Sequence, residues 1–219
     1  MQDEALRREM IATCIFMNER GINQGTSGNI SVRVDGGFLI TPSGVAYAEM
    51  QPEDIVFMKI DASHEGPRKP STEWRFHRDI MLKKPEVGAV IHLHSMFCTS
   101  LSMLRREIPA VHYMIAAAGG STIPCTPYVT WGTQELADAI ISALQNRLAC
   151  LLANHGMVCV GPNLKKAAWL AVEVETLAAQ YWRALQIGEP HILPDDEIAR
   201  VMEKFSSYGQ GETRHVSCC

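Results

Sequence analysis

The run Ala89-Val90-Ile91-His92-Leu93-His94 reads as a buried β-strand, apolar and rich in β-branched residues, with histidine set into it at alternate positions. Side chains two apart on a strand share a face, so both imidazoles look the same way. A fold that takes up this segment needs a central sheet, and it must also satisfy several ring nitrogens in an otherwise dry interior. A lone buried histidine on a strand is more often a hydrogen-bonded core residue. Two on one face favour a divalent cation as their shared partner. The candidates to complete such a site are Glu73, which follows Pro70-Ser71-Thr72, and His155, which interrupts the apolar stretch Leu151 to Val158. Taken alone, Glu73 reads as an acid complementing a helix dipole, a contribution of about 0.3 to 1 kcal/mol. Spacing offers Glu73 and His155 only as candidates; only the fold can bring them to the histidine pair.

Helix and strand signals alternate along the chain, with no internal repeat or long linker, as expected of one α/β domain. Residues 2–20 carry apolar positions at helical spacing, and Gly21 follows as a C′ residue. A hairpin is expected from 29–34 and 38–41 around Asp35-Gly36-Gly37, and a further strand over 55–60. Pro70, Ser71 and Thr72 mark the start of a helix over 73–83, so Glu73 falls in its first turn. The spacing then predicts a strand over 87–94, a helix over 96–104, strands over 110–113 and 122–130, and a helix over 133–147. Strands at 149–154 and 157–160, a long helix over 164–185 and a last helix over 195–206 complete the reading.

At 219 residues the chain can bury a substantial single core. Its net charge is −4 and its basic residues are scattered, so there is no electrostatic footprint for nucleic acid. No apolar run approaches the roughly 20 residues that span a bilayer. The first residues, Met1-Gln2-Asp3-Glu4, are acidic where a secretory signal is basic, which points to the cytoplasm. The seven cysteines include no CxxC pair and suit reduced, buried thiols; Cys218 and Cys219, on a polar tail expected to be mobile, suggest no function.

A second group of residues is polar and suits an anion. Gly25-Thr26-Ser27-Gly28-Asn29 enters a strand, Thr41-Pro42-Ser43-Gly44 is a similar small-residue loop, and Pro70-Ser71-Thr72 leads into a helix N-terminus. Each loop by itself has the composition of an ordinary turn. The adjacency of the third to Glu73 is more telling, since a phosphate held at Ser71 and Thr72 would bring the rest of a short substrate to a metal held through Glu73.

The segments Gly21 to Asn29, Leu39 to Gly44, Ser71-Thr72-Glu73-Trp74-Arg75-Phe76-His77 and His112 to Gly120 resemble the zinc-dependent class II aldolases of the fuculose-phosphate type, and the likeness runs from about residue 5 to residue 209. The resemblance implies an α/β/α three-layer sandwich around a mainly antiparallel sheet, with the domain at 1–209 and a flexible tail at 210–219. It implies one zinc ion per subunit, held by Glu73, His92, His94 and His155, and a phosphate site built from Gly28, Asn29, Ser43, Gly44, Ser71 and Thr72. Glu73 then resembles a group that binds zinc at rest, yields to substrate and acts as the acid/base. Tyr113 matches a tyrosine that reaches into a neighbouring subunit's site, in a homotetramer with active sites between subunits. Read without that likeness, Tyr113 would be an interface or core ring.

The implied reaction is reversible aldol cleavage of a ketose 1-phosphate to dihydroxyacetone phosphate and a short aldehyde, with zinc as Lewis acid for the enediolate. Trp131 stands where fuculose-type members carry a phenylalanine and so alters the apolar wall of the aldehyde pocket, which suits 5-deoxypentulose or 5-(methylthio)ribulose 1-phosphate beside fuculose 1-phosphate. Tyr208, in Phe205-Ser206-Ser207-Tyr208-Gly209, matches more loosely a tyrosine that covers the substrate. Alternatives within the same superfamily are a sugar-phosphate 4-epimerase and a decarboxylase. Adducin-type members are non-catalytic binding modules that lack the zinc set, whereas all four of its residues are present here.

Overall fold

A computed structural model describes residues 3–207; the tail expected at 210–219, the two terminal cysteines and Tyr208 lie outside the described residues. The chain opens with α1 (Glu4–Glu19), and Gly21 follows its end in a left-handed conformation (φ +70°) that glycine adopts without strain. The hairpin β1 (Asn29–Val34) and β2 (Gly37–Ile40) closes through a tight turn in which Gly36 has φ +80°. Next come β3 (Val56–Lys59), β4 (His64–Glu65), α2 (Trp74–Lys83), β5 (Ala89–Leu93) and α3 (Met96–Met103). After short β6 (Ile108–Pro109), a 3-10 helix (Tyr113–Ala118), β7 (Thr122–Ile123) and β8 (Cys125–Thr126), the chain forms α4 (Gln134–Ala143), β9 (Ala149–Leu152), β10 (Gly156–Gly161), α5 (Leu164–Leu185) and α6 (Asp195–Ser207).

Among the described residues the main sheet has eight strands in the order β4-β3-β2-β1-β5-β10-β9-β8, antiparallel throughout except for the β8/β9 pair. Its two faces carry separate cores, as period-two alternation requires. Ile30, Val32, Leu39, Ile91 and Leu93 face a cluster with residues of α1, α3, α5 and α6, while Phe38, Ile40, Val90, Leu152 and Val158 face α2 and α4. The protein is thus a mixed α/β sandwich of helices, sheet and helices.

Two expected strands are corrected. Over 110–113 the chain leaves β6 after Pro109 and turns into the 3-10 helix, so Tyr113 sits on that helix. Over 122–130 only the short β7 and β8 form. Pro109, Pro124 and Pro127 each lack the N–H that a continuing ladder needs, and apolar residues between them do not restore it.

β5 lies inside the sheet, with Asn29 opposite His92 on one side and Val158 opposite His92 on the other. Its continuation is pinned from across the core. Glu175 on α5, 7% exposed, accepts hydrogen bonds from Ser95 Oγ (2.7 Å) and from the backbone N–H groups of Phe97 (2.8 Å) and Cys98 (2.9 Å) at the start of α3. That carboxylate satisfies N–H groups that the helix itself leaves open.

Candidate functional site

Three structural choices bring the histidines to one point. His92 is in β5 and His94 immediately follows it, on the face toward α2. His155 sits in the β9/β10 turn, where Asn154 adopts φ +55° and the His155 N–H donates to the Leu152 carbonyl at 3.0 Å. The turn presses close to β5: a Cβ on Gly156 would stand 2.4 Å from the Leu93 carbonyl oxygen, so glycine there lets His155 approach the other two. The ring centroids of the three histidines lie 4.8 to 4.9 Å apart.

Glu73 is the residue just before α2, and its buried carboxylate completes the group. Its Oε2 is 3.1 Å from His92 Nε2, and its Oε1 is 3.4 Å from His155 Nε2. Oε2 also accepts from the Asn29 side-chain amide at 3.0 Å. Oε1 is buried and has no hydrogen bond. His92 Nδ1 lies 2.9 Å from the Met157 carbonyl oxygen, which can only accept; with the proton on Nδ1, the neutral ring turns an Nε2 lone pair inward. His92 Nε2 and His94 Nε2 are 3.1 Å apart, a distance that two inward lone pairs tolerate only with a proton or a cation between them. Three converging ring nitrogens and an orphaned carboxylate oxygen form a donor set that fits a divalent metal ion.

The electrostatics describe the same cluster with a proton, in place of a metal cation, on His92 Nε2 facing Glu73. Burial pushes the Glu73 carboxyl up, but the charge and hydrogen bond of His92, the charge of His155 and the Asn29 amide outweigh it and hold the group well below the usual carboxylate range. Burial opposes a charge on His92, yet Glu73 and the Met157 carbonyl raise its pKa above the ordinary histidine value. Burial first, and then the neighbouring His92, hold His94 and His155 each down to about 4, so both rings are neutral and able to ligate at neutral pH.

The three small-residue loops are stitched together beside this cluster. The Thr41 N–H donates to the Ile30 carbonyl (3.0 Å) and the Ile30 N–H to Thr41 Oγ1 (3.1 Å), tying the second loop to the start of β1. The Ser71 N–H donates to the Thr41 carbonyl (3.0 Å), the Ser43 N–H to the Lys69 carbonyl (3.1 Å), and Pro42 bridges Pro70. Gly28, Ser43, Gly44, Ser71 and Thr72 therefore lie on adjoining segments. A Cβ on Gly28 would meet the His92 carbonyl at 2.7 Å, so this loop rests directly on β5. The Asn29 side chain is engaged elsewhere, between Glu73 and His77.

Trp131 is exposed in the loop before α4, next to Gly132. The Gly132 carbonyl accepts from Arg75 Nη1 at 2.9 Å, and a Cβ added to Gly132 would lie 3.4 Å from the Thr72 carbonyl. Tyr113 is not brought to the cluster. Half exposed, it lines a cavity of about 1350 Å³ with Trp169, Leu193 and Phe205, to which none of Glu73, His92, His94 or His155 contributes. Two residues that the sequence alone did not single out contact the site. His77 lies one helical turn beyond Glu73, and Ser102 Oγ accepts from the His155 N–H at 3.3 Å. The i, i+4 spacing from Glu73 could have singled out His77; nothing local marks Ser102.

Residues 8–182 match the family described as Class II Aldolase and Adducin N-terminal domain. The chain is 54% identical over 205 residues to the 5-methylthioribulose-1-phosphate/5-deoxyribulose-1-phosphate aldolase of Rhodospirillum rubrum, covering 94% of this chain and 93% of that protein. It is 50% identical over 210 residues to the L-fuculose phosphate aldolase of Escherichia coli K12, covering 95% and 98%. A solved structure of an L-fuculose 1-phosphate aldolase superposes with a TM-score of 0.90 at 39% identity, covering 94% of this chain and 97% of that one.

Proposed function

This chain belongs to the class II aldolase and adducin family and is an aldolase, a carbon–carbon lyase; from that premise we propose that it cleaves a ketose 1-phosphate to dihydroxyacetone phosphate and a short aldehyde. The observation that carries this reading is the convergence of Glu73, His92, His94 and His155 beside three stitched small-residue loops. We assign the catalytic domain to residues 1–209 and its place to the cytoplasm. Among the described residues no helix is long and apolar enough to cross a membrane, and Cys14, Cys98, Cys150 and Cys159 are buried as free thiols.

The four converging side chains hold zinc, one ion per subunit. Zinc held there would supply Lewis-acid stabilisation of negative charge on the ketose oxygens. Gly28, Asn29, Ser43, Gly44, Ser71 and Thr72 seat the phosphate, Asn29 through its backbone while its side chain faces Glu73. Such anchoring holds the reacting carbons at Glu73. Glu73 exchanges a proton with the enediolate carbon, and its unbonded Oε1 leaves it free to turn toward the substrate. Tyr113, from a neighbouring subunit, exchanges a proton with the aldehyde-side oxygen. Its exposed position, apart from its own chain's cluster, is what a homotetramer with sites between subunits requires. Coexpressing Glu73→Gln and Tyr113→Phe chains is therefore expected to give mixed oligomers with cleavage activity that neither variant shows alone. Mixed oligomers as inactive as their parents would place both residues in one chain's site.

Substrate preference is assigned to Trp131, with Tyr208 covering the aldehyde end. A coupled assay for dihydroxyacetone phosphate is expected to detect cleavage of 5-(methylthio)ribulose, 5-deoxyribulose and L-fuculose 1-phosphates, with the methylthio or deoxy compound preferred, since an indole wall suits an apolar tail. Exclusive use of the fuculose compound would refute the role of Trp131. An epimerase would release no free dihydroxyacetone phosphate in the same assay.

A further inference from the structure

Behind Glu73 runs a buried file of polar groups that the reaction as described does not use. Ser31 and Asn29 share one face of β1, and His77 stands opposite them on α2, fully buried and stacked on Phe76 with ring centroids 4.4 Å apart. Ser31 Oγ lies 2.7 Å from His77 Nδ1, His77 Nε2 lies 2.5 Å from Asn29 Oδ1, and Asn29 Nδ2 lies 3.0 Å from Glu73 Oε2.

We propose that His77 is a positioning residue for Glu73, acting through Asn29: its Nε2–H holds the Asn29 carbonyl and thereby keeps that amide's N–H group turned toward the carboxylate. The inference rests on the reading of Glu73 as the acid/base. The direction of the file follows from its ends. An ionised carboxylate only accepts, so Asn29 must present its NH2 to Glu73 and its oxygen to His77. That oxygen needs a donor, so His77 carries its proton on Nε2, and Nδ1 accepts from the Ser31 hydroxyl. The opposite tautomer would attract the Asn29 NH2 and turn the amide oxygen against the Glu73 carboxylate, a buried repulsion. Each member has one chemically consistent orientation, and all of them fix where Oε2 rests. Glu73 can therefore swing on a defined pivot: Oε2 is tethered, Oε1 is not.

The test compares His77→Phe, which keeps a stacked ring without a donor, with His77→Gln, whose amide N–H can stand where Nε2–H stood. In His77→Phe, kcat for aldol cleavage is expected to fall about tenfold or more with KM within about twofold, and zinc affinity, measured by competition with a chelator, to weaken about tenfold. His77→Gln should recover most of both losses. If His77→Phe does not fold, Ser31→Ala removes only the hydroxyl that sets the tautomer, and it should show a smaller fall in kcat at unchanged KM. A folded His77→Phe or Ser31→Ala with unchanged kcat and zinc affinity overturns the proposal, as does a His77→Gln no better than His77→Phe. Glu73→Gln, run alongside, separates the failures. Full turnover in that variant brings down the reading of Glu73 itself, whereas a dead Glu73→Gln beside an unimpaired His77→Phe brings down only the positioning role.

Discussion

Glu73→Gln is expected to lose aldol turnover by about 10²- to 10⁴-fold, the range a single general acid–base group supplies, while the protein still binds zinc through its histidines. The substitution keeps size and shape, and the Gln carbonyl can still accept from the Asn29 amide, so the local fold should survive. What disappears is a carboxylate that the surrounding charges keep ionised despite its burial. A purely structural Glu73 would show the opposite pattern, with metal content lost and any residual metal-loaded fraction turning over normally. Measuring bound zinc and dihydroxyacetone phosphate release on the same preparation distinguishes the two. A Gln variant with full turnover would sink the assignment.

Stripping the metal is expected to have a comparable effect on activity and a further one on stability. A chelator should abolish cleavage, added zinc should restore it, and the thermal midpoint should drop in the stripped protein, because an ion that binds only the folded state stabilises that state. The physical cause is local: without a cation, His92 Nε2 and His94 Nε2 face each other at 3.1 Å in a buried pocket. Proton competition has a predictable sign. Ligation needs neutral rings, and His92 binds its proton at a higher pH than an ordinary histidine, so zinc affinity should weaken as pH falls through that raised value. His94 and His155, each held to about 4, should contribute to the loss only in more acidic solution. Metal titrations across pH check this; an affinity that rises on acidification would contradict it. An active, fully folded protein after exhaustive chelation would remove the metal from the mechanism.

The parts of the fold governed by short-range rules were legible. Alternation through Ala89 to His94 marked the strand, and the hairpin at Asp35-Gly36 followed from a turn that needs positive φ. The segments around Tyr113 and Thr122 were not, because their apolar character masks the prolines at 109, 124 and 127 that cut the ladders short. At the site, His92 and His94 were a pair from spacing alone, whereas their meeting with Glu73 and His155 depends on β1, β5 and β10 lying side by side, which no local pattern encodes. The stitching of the loops is equally non-local: Pro42 and Pro70 bridge across the intervening β3 and β4. His77 carries no decisive local signal for a different reason. A lone histidine on a helix reads as ordinary until the strand opposite it is known to present Ser31 and Asn29.

The loop that carries Trp131 lies against the segment that carries Thr72: a Cβ on Gly132 would be in ordinary contact with the Thr72 carbonyl oxygen, and Arg75, at the start of α2, donates to the Gly132 carbonyl. With the roles proposed for Trp131 and Thr72, recognition of the sugar's variable end and grip on its phosphate are mechanically joined. Lengthening or deleting residues in that loop is expected to disturb the proposed phosphate seat along with the proposed aldehyde pocket, while exchanging the side chain at position 131 is not. Divergence toward new aldehydes on this scaffold should consequently proceed by replacing single exposed rings, with the backbone beneath them held constant by a substrate feature that all such sugars share.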